Sequence, residues 1–118
     1  MNVTGLTIIL NSDDPAALFG FYADVVGLPR KPEIGEHAVD AAGVGILFDS
    51  HSEAPGAAKE PARQIVSVFV DDVAAEEARI EKQGVKFIRK QGKEYWGGII
   101  STLVDPVGNY LQLIEFKP

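Results

Sequence analysis

Asp105-Pro106-Val107-Gly108-Asn109, followed directly by Tyr110-Leu111-Gln112-Leu113-Ile114-Glu115, reads as a tight turn feeding a strand. Proline restricts φ, and Gly108 or Asn109 tolerates the positive φ that reverses the chain, so the turn residues carry a structural role. The strand alternates: Tyr110, Gln112 and Ile114 share one face, and Leu111, Leu113 and Glu115 the other. Leu111 and Leu113 belong against a core, with Glu115 as a strand-end surface acid. Gln112 is different. An amide set between Tyr110 and Ile114 on the opposite face needs a hydrogen-bonding ligand or water.

Working back from that strand, Tyr95 to Val104 reads as another, with Trp96 inside it beside Gly97-Gly98, where missing side chains leave room for a ligand. A shorter strand is expected around Lys86 to Ile88. Gln64 to Val70 reads as a strand, and Asp71-Asp72 opens a helix that runs to Gln83 and stops at Gly84. The charges Glu76, Glu77, Arg79, Glu81 and Lys82 on that helix read as a solvated face.

The first half shows the same order. Val3 to Asn11 alternates as a strand. Asp14-Pro15 then supplies an N-cap with proline at the first helical position, and Leu18, Phe21, Tyr22 and Val25 recur at helical spacing up to Gly27. That stripe makes Tyr22 a core residue. Arg30 to Asp49 reads as short strands punctuated by glycine. Laying Asp14 on Asp72 gives a shift of 58 residues that carries Thr7 onto Ile65. The expected architecture is α+β: two strand-helix-three-strand (βαβββ) modules, about 1–50 and about 63–118, joined by an Ala- and Pro-rich linker at about 51–62, forming a curled mixed sheet around a cleft.

In such a sheet one face is dry and the other is free. Leu6, Ile8, Leu10, Val44, Ile46, Phe48, Val66, Val68, Val70, Leu111 and Leu113 supply the dry face. Thr7, Ile9, Asn11, Leu47, Asp49, Ile65, Ser67, Phe69, Tyr110, Gln112 and Ile114 line the other, a mixture suited to a small-molecule pocket.

Composition narrows the partners. The 118 residues carry 17 acidic and 11 basic side chains, a net charge of −6, with no basic face to attract nucleic acid or an anionic membrane. No apolar run is long enough for a membrane helix and no signal peptide is visible, so a cytoplasmic location is expected. No cysteine is present, which removes disulfides, thiolate ligands and a cysteine nucleophile.

With the repeat in hand, the chain resembles the vicinal oxygen chelate superfamily, which contains glyoxalase I, extradiol dioxygenases, fosfomycin resistance enzymes and bleomycin resistance proteins. The residues that carry the resemblance are Phe21-Tyr22-Ala23-Asp24-Val25-Val26-Gly27-Leu28, Trp96-Gly97, and Asp105 to Asn109 leading into Leu111-Gln112-Leu113-Ile114-Glu115. The resemblance implies four metal-ligand positions, one on each of four strands, usually filled by His, Glu or Gln. Here they fall on Thr7, Leu47, Ile65 and Gln112, which lack the charge and donors of a divalent site. No metal and no cofactor are therefore expected. His37 and His51 fall in or near loops and read as surface residues. The function that follows is metal-independent binding of an apolar or aromatic ligand by a homodimer, with Thr7, Leu47, Asp49, Ile65, Ser67, Trp96, Tyr110 and Gln112 as contacts. The alternative is a lyase, isomerase or dioxygenase with an atypical metal site built from Asp49, Gln112 and His51.

Overall fold

A computed structural model describes residues 1–117. The chain forms two units, divided between Ala57 and Ala58 inside the expected linker. The linker is held on either side of this division: Gly56 N–H donates to the Asp13 carboxylate at 2.9 Å in the first unit, and Ala58 N–H to the Val107 carbonyl at 2.8 Å in the second.

The first unit runs β1 (Thr7–Asn11), α1 (Pro15–Gly20), a π-helical continuation (Phe21–Val26), β2 (Ala38–Ala41) and β3 (Val44–Asp49). β1 pairs in parallel with β3 and β2 antiparallel with it, giving the order β1-β3-β2. Asp14 caps α1 by accepting the Ala17 N–H at 3.1 Å, and Pro15 follows at the first position, as the sequence predicts. The helix expected from Pro15 up to Gly27 is α-helical only in its first half. Gly27 and Leu28 N–H both reach back to the Tyr22 carbonyl, and Gly27 ends the segment at φ 93°. The helical stripe lies on β3: Tyr22 is fully buried and stacks on Phe48, with ring centroids 5.0 Å apart.

The second unit runs β4 (Val66–Phe69), α2 (Val73–Glu81), β5 (Phe87–Lys93), β6 (Ile99–Val104) and β7 (Tyr110–Glu115), in the order β4-β7-β6-β5. Again the first strand pairs in parallel with the last. Asp72 caps α2 through the Ala75 N–H at 3.0 Å, so the two capping aspartates stand at the predicted shift of 58. The α+β class and the repeat both hold, in two mixed sheets of three and four strands, neither closed. In the first unit the strand expected after the helix is reduced to one bridge, Arg30 to Val39.

Four expectations about single elements are corrected. β1 starts at Thr7, leaving Leu6 outside the sheet and 65% exposed instead of in the dry face. β4 starts at Val66, because the ladder with β7 begins at Val66–Leu111 and the chain is still leaving the Glu60–Arg63 turn. Glu77 is no solvated acid: with Val73 and Ile80 it forms the buried stripe of α2, where its carboxylate accepts the Gln91 N–H and the Ser101 hydroxyl, both at 2.7 Å. Lys90 Nζ stands 3.2 Å from it. Glu115 is likewise employed, accepting the Val73 N–H at 3.0 Å at the start of α2.

The turn before β7 matches its reading. Asp105 is buried, its carboxylate accepts the N–H groups of Val107 and Asn109 and the Asn109 side-chain amide, and Gly108 holds φ 97°. Among the described residues no helix is long and apolar enough to cross a membrane.

Candidate functional site

In each unit the helices cover one sheet face, so the candidate residues are found on the other. In the second unit this face is built from β4, β7 and β6. Ser67 pairs with Gln112, which pairs on its far side with Thr102; one rung along, Phe69 pairs with Ile114, which pairs with Ile100. The Ser67 hydroxyl donates to Gln112 Oε1 at 2.9 Å. The amide is thus held by its neighbour strand, beside an apolar rung whose outer member, Phe69, is 70% exposed. Phe69 is the residue most under-weighted by sequence, where it read as one lining position among many.

The first unit carries the same two rungs with their characters exchanged. Ile9 pairs with Leu47 and Asn11 with Asp49. Since β1 maps onto β4 by the 58-residue shift, the apolar Ile9–Leu47 rung stands where the second unit has polar Ser67–Gln112. The polar Asn11–Asp49 rung stands where it has Phe69–Ile114. At the start of the strand Thr7 pairs with Gly45. On β3 this end of the face is covered: the Ile34 side chain lies 2.5 Å from where a Gly45 Cβ would stand, and Leu47 lies 2.8 Å from a Cβ on Gly35. The chain between Lys31 and Gly35 therefore crosses Gly45 and Leu47, while Thr7, Ile9 and Asp49 stay exposed. Asp49 accepts the Ser50 N–H at 2.8 Å.

Two predicted contacts sit elsewhere than in a strand. Ile65 precedes β4 and is 40% exposed. Trp96 lies in the β5–β6 turn, which is closed by Gly97 N–H to the Glu94 carbonyl at 2.9 Å and Glu94 N–H to the Gly98 carbonyl at 2.7 Å. Gly97, at φ 97°, lets the hairpin reverse there. The space left by Gly98 is filled by Trp96 itself, since a Cβ there would collide with the six-membered ring of Trp96, and that ring also packs edge-on against Phe116 at 5.5 Å. Gly98→Ala should accordingly expel the indole: its emission maximum shifts to the red and iodide quenching rises, with a stability loss of about 1 kcal/mol from the broken aromatic contact. An unchanged spectrum would show that the ring is not seated over Gly98.

Tyr110 pairs with Val104 at the start of β7 and is half-buried. His37 packs on Phe19 at 5.3 Å, and His51 Nδ1 accepts the Glu53 N–H at 3.1 Å within its own turn. Taken unit by unit, the metal-ligand positions offer one hydroxyl from Thr7 and one amide from Gln112, whose oxygen already accepts from Ser67. That donor set does not fit a divalent ion. Among the described residues no three His, Cys, Asp or Glu side chains gather to hold one.

The profile of the Glyoxalase/Bleomycin resistance protein/Dioxygenase superfamily matches residues 6–113. The chain belongs to this superfamily. Solved structures with the superfamily fold include TnmS3, an antibiotic binding protein from Streptomyces sp. CB03234, at TM-score 0.75 and 22% identity over 99% of both chains. Another is a lactoylglutathione lyase from Agrobacterium tumefaciens, at TM-score 0.68 and 22% identity over 97% of this chain and 94% of that one. A glyoxalase/bleomycin resistance protein/dioxygenase family enzyme from Burkholderia phytofirmans PsJN gives TM-score 0.75 at 19% identity, over 92% and 95%. Among curated proteins no match is found. These identities establish a shared fold, and the superfamily fold serves binding proteins and enzymes alike.

Proposed function

We propose that the protein binds an apolar or aromatic small molecule without a metal, on the face of the second sheet that carries Ser67, Phe69 and Gln112. The observation that carries this reading is the Ser67–Gln112 hydrogen bond. In it a neutral amide, at a position the resemblance gives to a metal ligand, has its oxygen occupied by a hydroxyl and stands next to an exposed phenyl ring. A few fixed polar groups among apolar ones are the usual composition of a small-molecule site. The antibiotic-binding activity in the name of TnmS3 is consistent with it. Trp96 and Tyr110 belong to the proposed contacts as flanking aromatics and Ile65 as a further one; on the corresponding face of the first unit, Thr7, Leu47 and Asp49 are proposed as contacts in their own right. A homodimer belongs to the same proposal, supported by the exposed apolar side chains Val3 and Leu6 ahead of β1.

Elemental analysis of gently purified protein should find divalent metal well below one equivalent. A panel of aromatic antibiotics and metabolites should raise Tm by several degrees, as mass action requires for a ligand that binds only the folded state. Stoichiometric metal that disappears in Gln112→Ala would overturn the reading in favour of the atypical metal site. Silence across a broad panel would remove the binding reading itself.

A further inference from the structure

We infer that the ligand presents a carbonyl-type acceptor oxygen to Gln112 while its ring lies against Phe69, an inference that rests on the binding reading above. A side-chain amide has an acceptor end and a donor end, and where a neighbour occupies one end the other is left for a ligand. Here the Ser67 hydroxyl donates to Oε1. Nε2, with two N–H groups, has no protein acceptor among the described residues, and since none of their buried side-chain nitrogens or oxygens is left without a partner, it is open to solvent. A ligand atom arriving there must accept. A primary ammonium or an aryl C–H in that place would leave the donor unpaired as water is expelled, which is the stronger source of discrimination.

The neighbouring rung fixes where the rest of the ligand goes. Phe69 follows Ser67 by two residues on β4, and Ile114 follows Gln112 by two on β7, so the apolar rung lies about 7 Å along the strands from the amide. That spacing fits an aryl ketone, amide or ester whose carbonyl carbon is attached directly to, or one atom from, a bicyclic ring. It disfavours plain aromatic hydrocarbons and aryl amines. Ser67 is then a positioning residue, which acts by turning Gln112.

Three probes of matched shape test this: 2-acetylnaphthalene, 2-ethylnaphthalene and 2-naphthylmethylamine, with dissociation constants measured by calorimetry on the intact protein. The ketone should bind about tenfold more tightly than the hydrocarbon, and the amine more weakly than either. Gln112→Leu should bring the ketone-to-hydrocarbon ratio to about one, Ser67→Ala should reduce it, and Gln112→Glu should shift preference towards the amine; far-UV circular dichroism confirms each variant's fold. Equal affinity for ketone and hydrocarbon in the unmodified protein, or a ratio that survives Gln112→Leu, overturns the inference while leaving the binding reading in place. Failure of all three probes to bind at millimolar concentration overturns it as well, while the binding reading falls only with silence across the broad panel.

Discussion

Tyr22→Ala is expected to lower stability by about 3–5 kcal/mol, the range for truncating a fully buried aromatic. Tyr22 has no exposed surface, stacks on Phe48 and meets Phe21 edge-on at 5.4 Å. It also supplies the carbonyl on which the π-helical segment closes. Removing the ring opens a cavity between that segment and β3 while leaving the Asp14 cap and the Gly27 stop intact, so the helix persists but loses its seat. Urea denaturation followed by circular dichroism measures the loss as a lower midpoint. Against a total of about 5–15 kcal/mol for a domain of this size, the effect is large. A cost below about 1 kcal/mol would mean that the ring is not a core residue.

Glu77→Ala should cost about 2–4 kcal/mol, because it leaves the Gln91 N–H without its acceptor and the buried Ser101 hydroxyl with only the Arg89 carbonyl at 3.4 Å. The same carboxylate gives stability a pH dependence of known sign. Burial alone would raise its pKa, but the hydrogen bonds from Ser101 and Gln91 and the Lys90 ammonium outweigh burial and hold it below the ordinary glutamate value. A group depressed in the folded state contributes stability that is complete above its unfolded pKa, about 4.3, and is lost as pH falls through the folded value. Tm of the unmodified protein should therefore fall between about pH 5 and pH 3 more steeply than that of Glu77→Gln, which carries no titrating charge there. Parallel curves for the two proteins would exclude this account.

Much of the fold was legible because its signals are local. An aspartate cap, a proline behind it and a glycine beyond the last turn mark each helix within a few residues, and their recurrence at one spacing exposed the repeat. Glu77 escaped because a helix sequence shows its charge but not the acceptor-hungry groups of Gln91 and Ser101, which reach it from two later strands. The aromatic pair Tyr95 and Trp96 favours a strand by sequence, whereas Gly97 at positive φ makes the hairpin turn there. The exchange of polar and apolar rungs was hidden for a different reason. It depends on how β3 and β7 register against β1 and β4, and the 58-residue shift that relates β1 to β4 does not relate β3 to β7, since the intervening segments differ in length.

β5 is the outer strand of the second sheet, and its ladder with β6 slips twice, between Phe87 and Arg89 and again between Arg89 and Gly92. Such slips bend a strand and interrupt the even row of N–H and C=O groups along its free side, and Lys93 adds a charge at its end. Another chain approaching that edge finds no straight template to extend. The seven-residue strand with the longest exposed margin in the unit is thereby protected from the growth of intermolecular β-structure, at the cost of a regular ladder.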